Sequence, residues 1–145
     1  MIAGVGVDLV EIARIDATLA RFGARFEQRC FAAVELEQAP AGPHRAAFYA
    51  GRFAMKEAVM KALGTGRSRG VLWRNVATRS LPSGQPVVEL SGGAAKRAAE
   101  LGIVRWSVAL TDQAGQSLAM AVAESADLIV AEGVAAGRRG DEKAD

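Results

Sequence analysis

Three residues, two carboxylates and a lysine, have types and a spacing that could form a charged site. Two of them, Glu57 and Lys61, lie four residues apart in the segment GRFAMKEAVMKALGTG, at positions 51–66. Good helix formers dominate this segment and no proline interrupts it, so it predicts a helix on which the two side chains are neighbours, one turn apart. The simplest interpretation of such neighbours is a solvated ion pair.

The position of Glu57 on this helix favours a functional site. At 100° per residue, Phe53 and Met60 lie at nearly the same angle, and Glu57 projects only about 40° from Phe53. Its carboxylate therefore lies at the edge of an apolar stripe, where it needs a cation or hydrogen-bond donors. Either Lys61 or a metal ion could supply that cation.

Asp8 is the third candidate. Residues 2–8 predict an apolar strand that ends at Asp8, and a helix is expected from Leu9. Asp8 followed by Glu11 resembles a capping box with Asp in place of Ser or Thr, so helix capping is one interpretation. The other is a metal ligand at a strand end. Because His44 is the only histidine, oxygen ligands would hold any metal, which favours magnesium or manganese.

The helix that follows Asp8 presents an apolar face and a basic face. The apolar residues, spaced three and four apart, are Ile12, Ile15, Leu19, Phe22 and Phe26. They predict one helix that continues through Phe26. Arg14, Arg21 and Arg25 share another face of it, at spacings of seven and four. This face is either simply solvated or a docking surface for an acidic helix of a partner, flanked by Phe22 or Phe26.

The remaining elements predict one small domain. Short helical turns are expected in 27–39, and the long helix is expected to begin near Pro43 and to end at Gly64. Later elements are expected to be strands at 71–80 and 86–90, a helix at 93–101, and a hairpin of 105–111 with 117–124 that has Trp106, Val108 and Leu110 on one face. The two N-terminal glycines, Gly4 and Gly6, favour close backbone packing. We predict a domain of residues 1–125 and a disordered tail of residues 126–145.

Composition excludes several classes of protein. The sequence has 145 residues, 50% of them hydrophobic, a net charge of +2 and one cysteine, Cys30, so no intramolecular disulfide can form. We see neither a membrane-spanning run nor the basic leader of a signal peptide and expect a cytoplasmic protein. Four arginines follow the long helix and suit phosphates or an acidic protein: Arg67, Arg69, Arg74 and Arg79. A nucleic-acid binder would need stacking aromatics among them, and only Trp73 qualifies.

Two motifs together resemble a known family. GVGVDLVEIARI at positions 4–15 and RFAMKEAVMKALGTG at 52–66 are similar to the hallmarks of the holo-[acyl carrier protein] synthases, the small group of 4′-phosphopantetheinyl transferases. Weaker similarity continues through the PSGQP turn and the VALTDQ strand, so the resemblance covers about residues 1–125. It implies an α+β fold in which a long helix packs on a small, mainly antiparallel sheet.

The resemblance also implies a reaction. A serine hydroxyl of apo acyl carrier protein would attack the β-phosphate of coenzyme A and release 3′,5′-ADP. Asp8 and Glu57 would hold Mg²⁺ together with the coenzyme pyrophosphate, and Lys61 would contact a phosphate oxygen. Phosphoryl transfer needs positioning and charge neutralisation, which such a set supplies. Asp8 or Glu57 could also orient a water that takes the serine proton.

Further residues follow from the same resemblance. Coenzyme contacts would come from Arg52 and from the turn Gly64, Thr65 and Gly66. The carrier protein would dock on Arg14, Arg21, Arg25 and Phe26. Family members form homotrimers with active sites at subunit interfaces, so Arg52, Arg67 or the turn at 82–86 would serve a neighbour's site.

One departure and one alternative remain. Many relatives carry histidines at the two ends of the block matching Ser107–Asp112, whereas this sequence has Ser107 and Asp112 there. The alternative function is a non-catalytic trimer that binds coenzyme A or another nucleotide. The presence of Asp8, Glu57 and Lys61 together favours a transferase, because binding alone does not require that set.

Overall fold

The computed structural model describes residues 1–126. The predicted tail comprises residues 126–145, and all of it except residue 126 lies outside the described residues. In chain order the elements are β1 (Ile2–Glu11), α1 (Ile12–Phe22), α2 (Ala24–Cys30), α3 (Ala33–Gln38), α4 (Arg45–Leu63), β2 (Val76–Ser80), β3 (Pro86–Leu90), α5 (Gly92–Glu100), β4 (Ile103–Gln113) and β5 (Gln116–Ser125). Three antiparallel strands form a sheet in the order β1-β5-β4, and β2 pairs with β3 in a separate hairpin. The α+β fold is confirmed.

Helix α4 is the centre of the core. It begins after a single 3₁₀ turn at Gly42–His44, where Pro43 lacks an N–H that would go unpaired anyway. Nineteen residues later it ends at Gly64, which has a φ of 70° and donates its N–H to the Lys61 carbonyl. Both predicted ends are confirmed. Most of the helix is buried, since it contacts β1 and β5 as well as α1 and β2.

Small residues let the sheet lie close against α4. A Cβ added to Gly6 would lie 1.7 Å from the Ala58 carbonyl oxygen, and one on Gly4 would lie 2.1 Å from that of Ala62. No side chain larger than hydrogen fits at either position, which confirms the predicted close backbone packing. The inward residues of β5 are also small and buried: Ala119, Ala121 and Ala123.

The predicted boundary at Asp8 is wrong. Strand β1 continues through Asp8, which lies opposite Ala119, and reaches Glu11, which lies opposite Gln116. Helix α1 starts only at Ile12, and its N-cap residue, Glu11, makes no side-chain capping bond. Asp8 therefore does not cap a helix. The long partner strand offers backbone hydrogen bonds past Asp8, and these outweigh the local capping signal.

The first helix is also shorter than predicted. It ends at Phe22, because Gly23 has a φ of 52° and breaks it, and Arg25 and Phe26 belong to α2. The apolar spacing persists across the break, so the sequence alone predicted a single helix.

The predicted strand at 71–80 is shortened as well. Residues Trp73–Asn75 form a 3₁₀ turn and only Val76–Ser80 pair as β2. The Asn75 side chain accepts a 2.9 Å hydrogen bond from the Leu72 N–H and so favours the turn.

The C-terminal hairpin is confirmed. Ala114 and Gly115 both have positive φ, 52° and 74°, as a tight two-residue hairpin turn requires. Trp106, Val108 and Leu110 pack against the core from one face of β4, as predicted. Within residues 1–126, none of the helices is both long enough and apolar enough to cross a bilayer.

Candidate active site

The structure brings Asp8 and Lys61 together. The Lys61 ammonium donates to Asp8 Oδ1 at 3.0 Å and to the Val7 carbonyl at 2.9 Å. The Asp8 side chain is 19% exposed and that of Lys61 is 53% exposed, so the pair lies at the surface. Residues 53 positions apart meet because β1 rests on α4 at its two glycines. A lysine near solvent and held by a carboxylate can still contact an anion.

Glu57 lies one helical turn before Lys61, but it has a different partner. Its Oε1 accepts a 2.9 Å hydrogen bond from the Trp73 indole Nε1. Lys61 reaches across to β1 instead, so the interpretation of Glu57 and Lys61 as an ion pair within the helix is wrong. The two carboxylates of the predicted site are thus held by two different donors, an ammonium and an indole.

The donor chemistry of these carboxylates fits a hard cation. No group of three or more His, Cys, Asp or Glu side chains that could hold a metal occurs within residues 1–126. Magnesium is commonly bound by one or two carboxylates, with waters and substrate phosphates as the remaining ligands. Asp8 and Glu57 would supply two such carboxylates, so Mg²⁺ would fit here only with waters and substrate phosphates as further ligands.

The glycine turn after α4 is pinned to the helix end. The N–H groups of Thr65 and Gly66 both donate to the Met60 carbonyl, at 3.2 and 3.4 Å. Thr65 is buried, while the space beside the α-carbons of Gly64 and Gly66 is open to 4 Å. The turn can therefore admit a ligand to van der Waals contact, but these two amides are already engaged in the helix terminus.

Arg52 lies on another side of α4. At 100° per residue it projects about 140° from Glu57 and about 180° from Lys61. It donates to Ser80 Oγ at 2.6 Å and stacks over the Phe48 ring at 4.0 Å, while its Nε is buried without a partner. Burial lowers its pKa. Within one chain, the predicted coenzyme-binding residues Arg52 and Lys61 are therefore not brought together.

The cavity beside Arg52 includes one of the departures from the family. It has a volume of about 170 Å³ and is lined in part by Thr111 and Asp112. Asp112 accepts a 2.5 Å hydrogen bond from Ser117 Oγ, which fixes its carboxylate at the end of the hairpin.

Most of the predicted docking residues line one groove. The groove has a volume of about 380 Å³, and Arg14, Arg25 and Phe26 are among its lining residues. Arg21 does not line the groove. Its guanidinium lies 5.0 Å from the ring centroid of Phe22, and Phe22 does line the groove. Because Arg25 lies on α2, the prediction that the three arginines share one face of a single helix is wrong.

Sequence reasoning missed an important lysine, Lys56. Its side chain is fully buried and donates to Glu35 Oε2 at 2.5 Å and to the carbonyls of Trp73 and Val76, at 3.2 and 2.5 Å. Burial lowers the pKa of Lys56, and the Glu35 carboxylate opposes this. The helical-wheel argument used for Glu57 could have found it, because Lys56 projects about 40° from Met60.

The second missed residue is Trp73, which the sequence analysis considered only as a base-stacking aromatic. Trp73 lines the same groove as Arg14 and Arg25, which we call the arginine-rimmed groove. Its indole N–H also donates to Glu57. The Arg67 guanidinium lies 3.8 Å from its ring centroid. No sequence signal links Trp73 to Glu57, because 16 residues and a turn separate them.

Comparison with known proteins identifies the family. A sequence model described as the 4′-phosphopantetheinyl transferase superfamily matches residues 4–123. A holo-[acyl-carrier-protein] synthase of Methylobacterium radiotolerans is 47% identical over 135 residues, which cover 90% of this chain and 99% of that protein. The chain therefore belongs to the 4′-phosphopantetheinyl transferase superfamily and, within it, to the holo-[acyl-carrier-protein] synthases, which are enzymes.

Solved structures of holo-[acyl-carrier-protein] synthases support the same family assignment. The crystal structure of the holo-[acyl-carrier-protein] synthase from Neisseria meningitidis is 35% identical with a TM-score of 0.79, and the match covers 86% of this chain and all (100%) of that one. A Bacillus anthracis holo-(acyl-carrier-protein) synthase in complex with CoA (3′,5′-ADP) is 29% identical with a TM-score of 0.72, covering 87% and 99%. The fold and the family thus point to the same class of enzyme.

Proposed function

We propose that this protein transfers 4′-phosphopantetheine from coenzyme A to a serine of apo acyl carrier protein, releases 3′,5′-ADP and requires Mg²⁺. The observation that carries the proposal is the position of Trp73. It lines the arginine-rimmed groove and hydrogen-bonds Glu57. A partner protein in the groove would therefore contact Trp73, which holds Glu57, and Lys61 lies one helical turn after Glu57.

The proposed reaction balances as a substitution at phosphorus. The serine oxygen forms a bond to the β-phosphorus of coenzyme A, and the bond from that phosphorus to the bridging oxygen breaks. The bridging oxygen leaves as part of 3′,5′-ADP. The serine proton goes to a water that Asp8 or Glu57 orients. In-line phosphoryl transfer of this kind depends on positioning and on charge stabilisation, with no covalent intermediate on the protein.

The residues have distinct roles in this proposal. Asp8 and Glu57 would hold Mg²⁺, which when bound neutralises charge on the pyrophosphate. Lys61 would move from Asp8 to a phosphate oxygen, which would free the Asp8 carboxylate for the metal ion. The open turn from Gly64 to Gly66 would let the coenzyme approach the end of α4.

Carrier-protein docking would use the groove between α1, α2 and α4. Arg14 and Arg25 supply positive charge, and Phe26 supplies an apolar wall. Arg21 lies beside Phe22, which is 43% exposed. Basic residues around an exposed aromatic suit an acidic amphipathic helix, because opposite charges steer it and the ring anchors it.

A homotrimer with interfacial sites completes the proposal. The outward face of the β1-β5 sheet exposes a run of large apolar residues: Ile2, Val5, Val7, Leu9, Leu118 and Met120. An exposed patch of this kind is typical of a protein–protein interface. Because Arg52 points away from Lys61 in its own chain, it would bind coenzyme in the site of a neighbouring subunit. We also propose a cytoplasmic role in fatty acid biosynthesis.

Intact-mass spectrometry tests the transferase. Apo acyl carrier protein is incubated with this protein, coenzyme A and Mg²⁺, with EDTA as a control. We expect the carrier to gain the mass of one phosphopantetheine, and we expect no gain with EDTA. If several carrier proteins gain no mass while coenzyme A still binds, the non-catalytic binding function replaces the proposal.

Sedimentation equilibrium tests the assembly. We expect a trimer for the wild type and a smaller species for Val7→Glu, because a charge on the apolar face opposes its burial. A wild-type monomer would remove the interfacial part of the proposal and leave the transferase to be judged by mass alone.

A further inference from the structure

We infer that Trp73 is a positioning residue for the Glu57 carboxylate and thereby sets the affinity of the site for a divalent cation. The inference rests on the proposed metal role of Glu57. It starts from the difference between the two carboxylates. Asp8 is held by the ammonium of Lys61, whereas Glu57 is held by the indole N–H of Trp73 at 2.9 Å.

The chemistry of the donor determines what remains for a ligand. An indole N–H is a neutral donor with a single hydrogen. It orients one oxygen of Glu57 without cancelling the negative charge and leaves the second oxygen for a cation. A lysine or an arginine in this place would compensate the charge and compete with the metal ion. Hydrogen bonds to ligating carboxylates commonly tune metal sites in this way.

The indole ring of Trp73 contacts an aromatic ring and a guanidinium. It packs against the Phe53 ring, with centroids 5.5 Å apart, and the guanidinium of Arg67 lies 3.8 Å from its centroid. Such contacts restrict the ring to one orientation. The direction of the N–H is therefore fixed before any ligand binds.

The backbone of Trp73 is anchored from inside the core. Its carbonyl accepts a 3.2 Å hydrogen bond from the buried Lys56 ammonium, and Lys56 is held by the equally buried Glu35. Glu35 also accepts from the N–H groups of Ala32 and Thr78, at 2.9 and 3.0 Å. The chain of contacts thus runs from a rigid buried network through Trp73 to Glu57. Such support keeps a ligand within the few tenths of an ångström that binding needs.

Divalent-cation binding tests the inference directly. Mn²⁺ binding is measured by electron paramagnetic resonance in the presence of coenzyme A, for the wild type and for Trp73→Phe. The matched control is Trp106→Phe, which changes the other tryptophan, on β4. We expect Trp73→Phe to weaken Mn²⁺ binding by about 10-fold or more, in line with the loss of a partner to a ligating group. We expect Trp106→Phe to bind Mn²⁺ as the wild type does.

A double-mutant cycle separates positioning from a general structural effect. If Trp73 acts through Glu57, then Trp73→Phe added to Glu57→Gln weakens Mn²⁺ binding no further. Equal weakening in both backgrounds would overturn the inference, and so would wild-type affinity in Trp73→Phe. If the wild type itself binds no Mn²⁺ with coenzyme A, the proposed metal function fails and the inference fails with it.

A ligand-free measurement and a shape-preserving variant complete the test. With ¹⁵N-labelled tryptophan, we expect Glu57→Gln to shift the Trp73 indole resonance and to leave that of Trp106 in place. An unshifted Trp73 resonance would contradict the contact. Should Trp73→Phe fold poorly, benzothienylalanine at position 73 in the Trp106→Phe background replaces only the N–H with sulfur, and the same loss of affinity is expected.

Discussion

Helix α4 carries two lysines that each pair with a carboxylate, in opposite surroundings. Lys56 and Glu35 are both 0% exposed, whereas the side chains of Lys61 and Asp8 are 53% and 19% exposed. The two lysines are only five positions apart along the helix. The buried pair joins α3 to α4 and β2, and the exposed pair joins α4 to β1 at the candidate active site.

The difference in burial determines which of the two lysines remains available to a ligand. A buried ammonium must be fully paired, so Lys56 has no remaining capacity for a ligand. An exposed ammonium loses little when its partner changes, so Lys61 can shift from protein to a phosphate oxygen at small cost. Both lysines are part of the segment that resembles the family hallmark, yet only Lys61 is exposed to a ligand.

Replacing the buried lysine should give the largest effect on stability. Lys56→Met leaves the Glu35 carboxylate buried without its cation, which typically costs about 3–5 kcal/mol of the free energy of unfolding. Urea denaturation followed by circular dichroism measures the change. Arg79→Met is the matched control, because it breaks the exposed Arg79–Glu89 pair and should cost at most about 1 kcal/mol. Similar losses in the two variants would contradict the assigned difference in burial.

Glu57→Gln should leave the fold intact and remove most of the transfer activity. The substitution keeps the shape and an acceptor for Trp73 but removes a charge that the metal needs. Metal-assisted charge stabilisation is worth several kcal/mol, so the rate should fall by about 100-fold or more. The mass of the carrier protein, sampled over time, gives the rate. Undiminished turnover would remove Glu57 from the metal site.

Lys61→Met should have a small effect on stability and a larger effect on the transfer rate, whereas Lys56→Met should mainly reduce stability. Because the Lys61–Asp8 pair is exposed, the free energy of unfolding should fall by no more than about 1 kcal/mol. The transfer rate should nevertheless fall by about 10-fold or more, since a phosphate contact is lost. The two variants are compared in the same denaturation and transfer assays. A Lys61→Met protein with normal turnover would show that the exposed lysine has no part in the reaction.

Arg14→Glu should act only on the partner protein. Reversing one charge at the rim of the groove should raise the Michaelis constant for the carrier by about 10-fold, while coenzyme A binding stays unchanged. Steady-state kinetics with each substrate varied in turn make the distinction. An unchanged constant for the carrier would argue against the groove as its docking surface.

Removing residues 127–145 should have the smallest effect. Strand β5 ends at Ser125 and the match to the family ends at residue 123. We expect the truncated chain to transfer phosphopantetheine at the full-length rate, within about twofold, by the same mass assay. A large loss would assign the tail a role in the reaction.

The sequence by itself predicted what depends on near neighbours in the chain. The composition of α4, the glycine at its end and the turn of the β4–β5 hairpin follow from local preferences, which act over a few residues. The motifs around Asp8 and around Glu57 and Lys61 gave the family, because their residue types and spacing are specific even without a structure.

The tertiary structure decided everything that depends on distant partners. Asp8 stays in a strand because β5 pairs with it, and Lys61 bonds to Asp8 across 53 residues rather than to Glu57 across four. Which lysine of α4 is buried and which indole holds Glu57 depend on how β1, α3 and the Trp73 turn pack around the helix. Local periodicity places a side chain on a face, but only packing determines what that face meets.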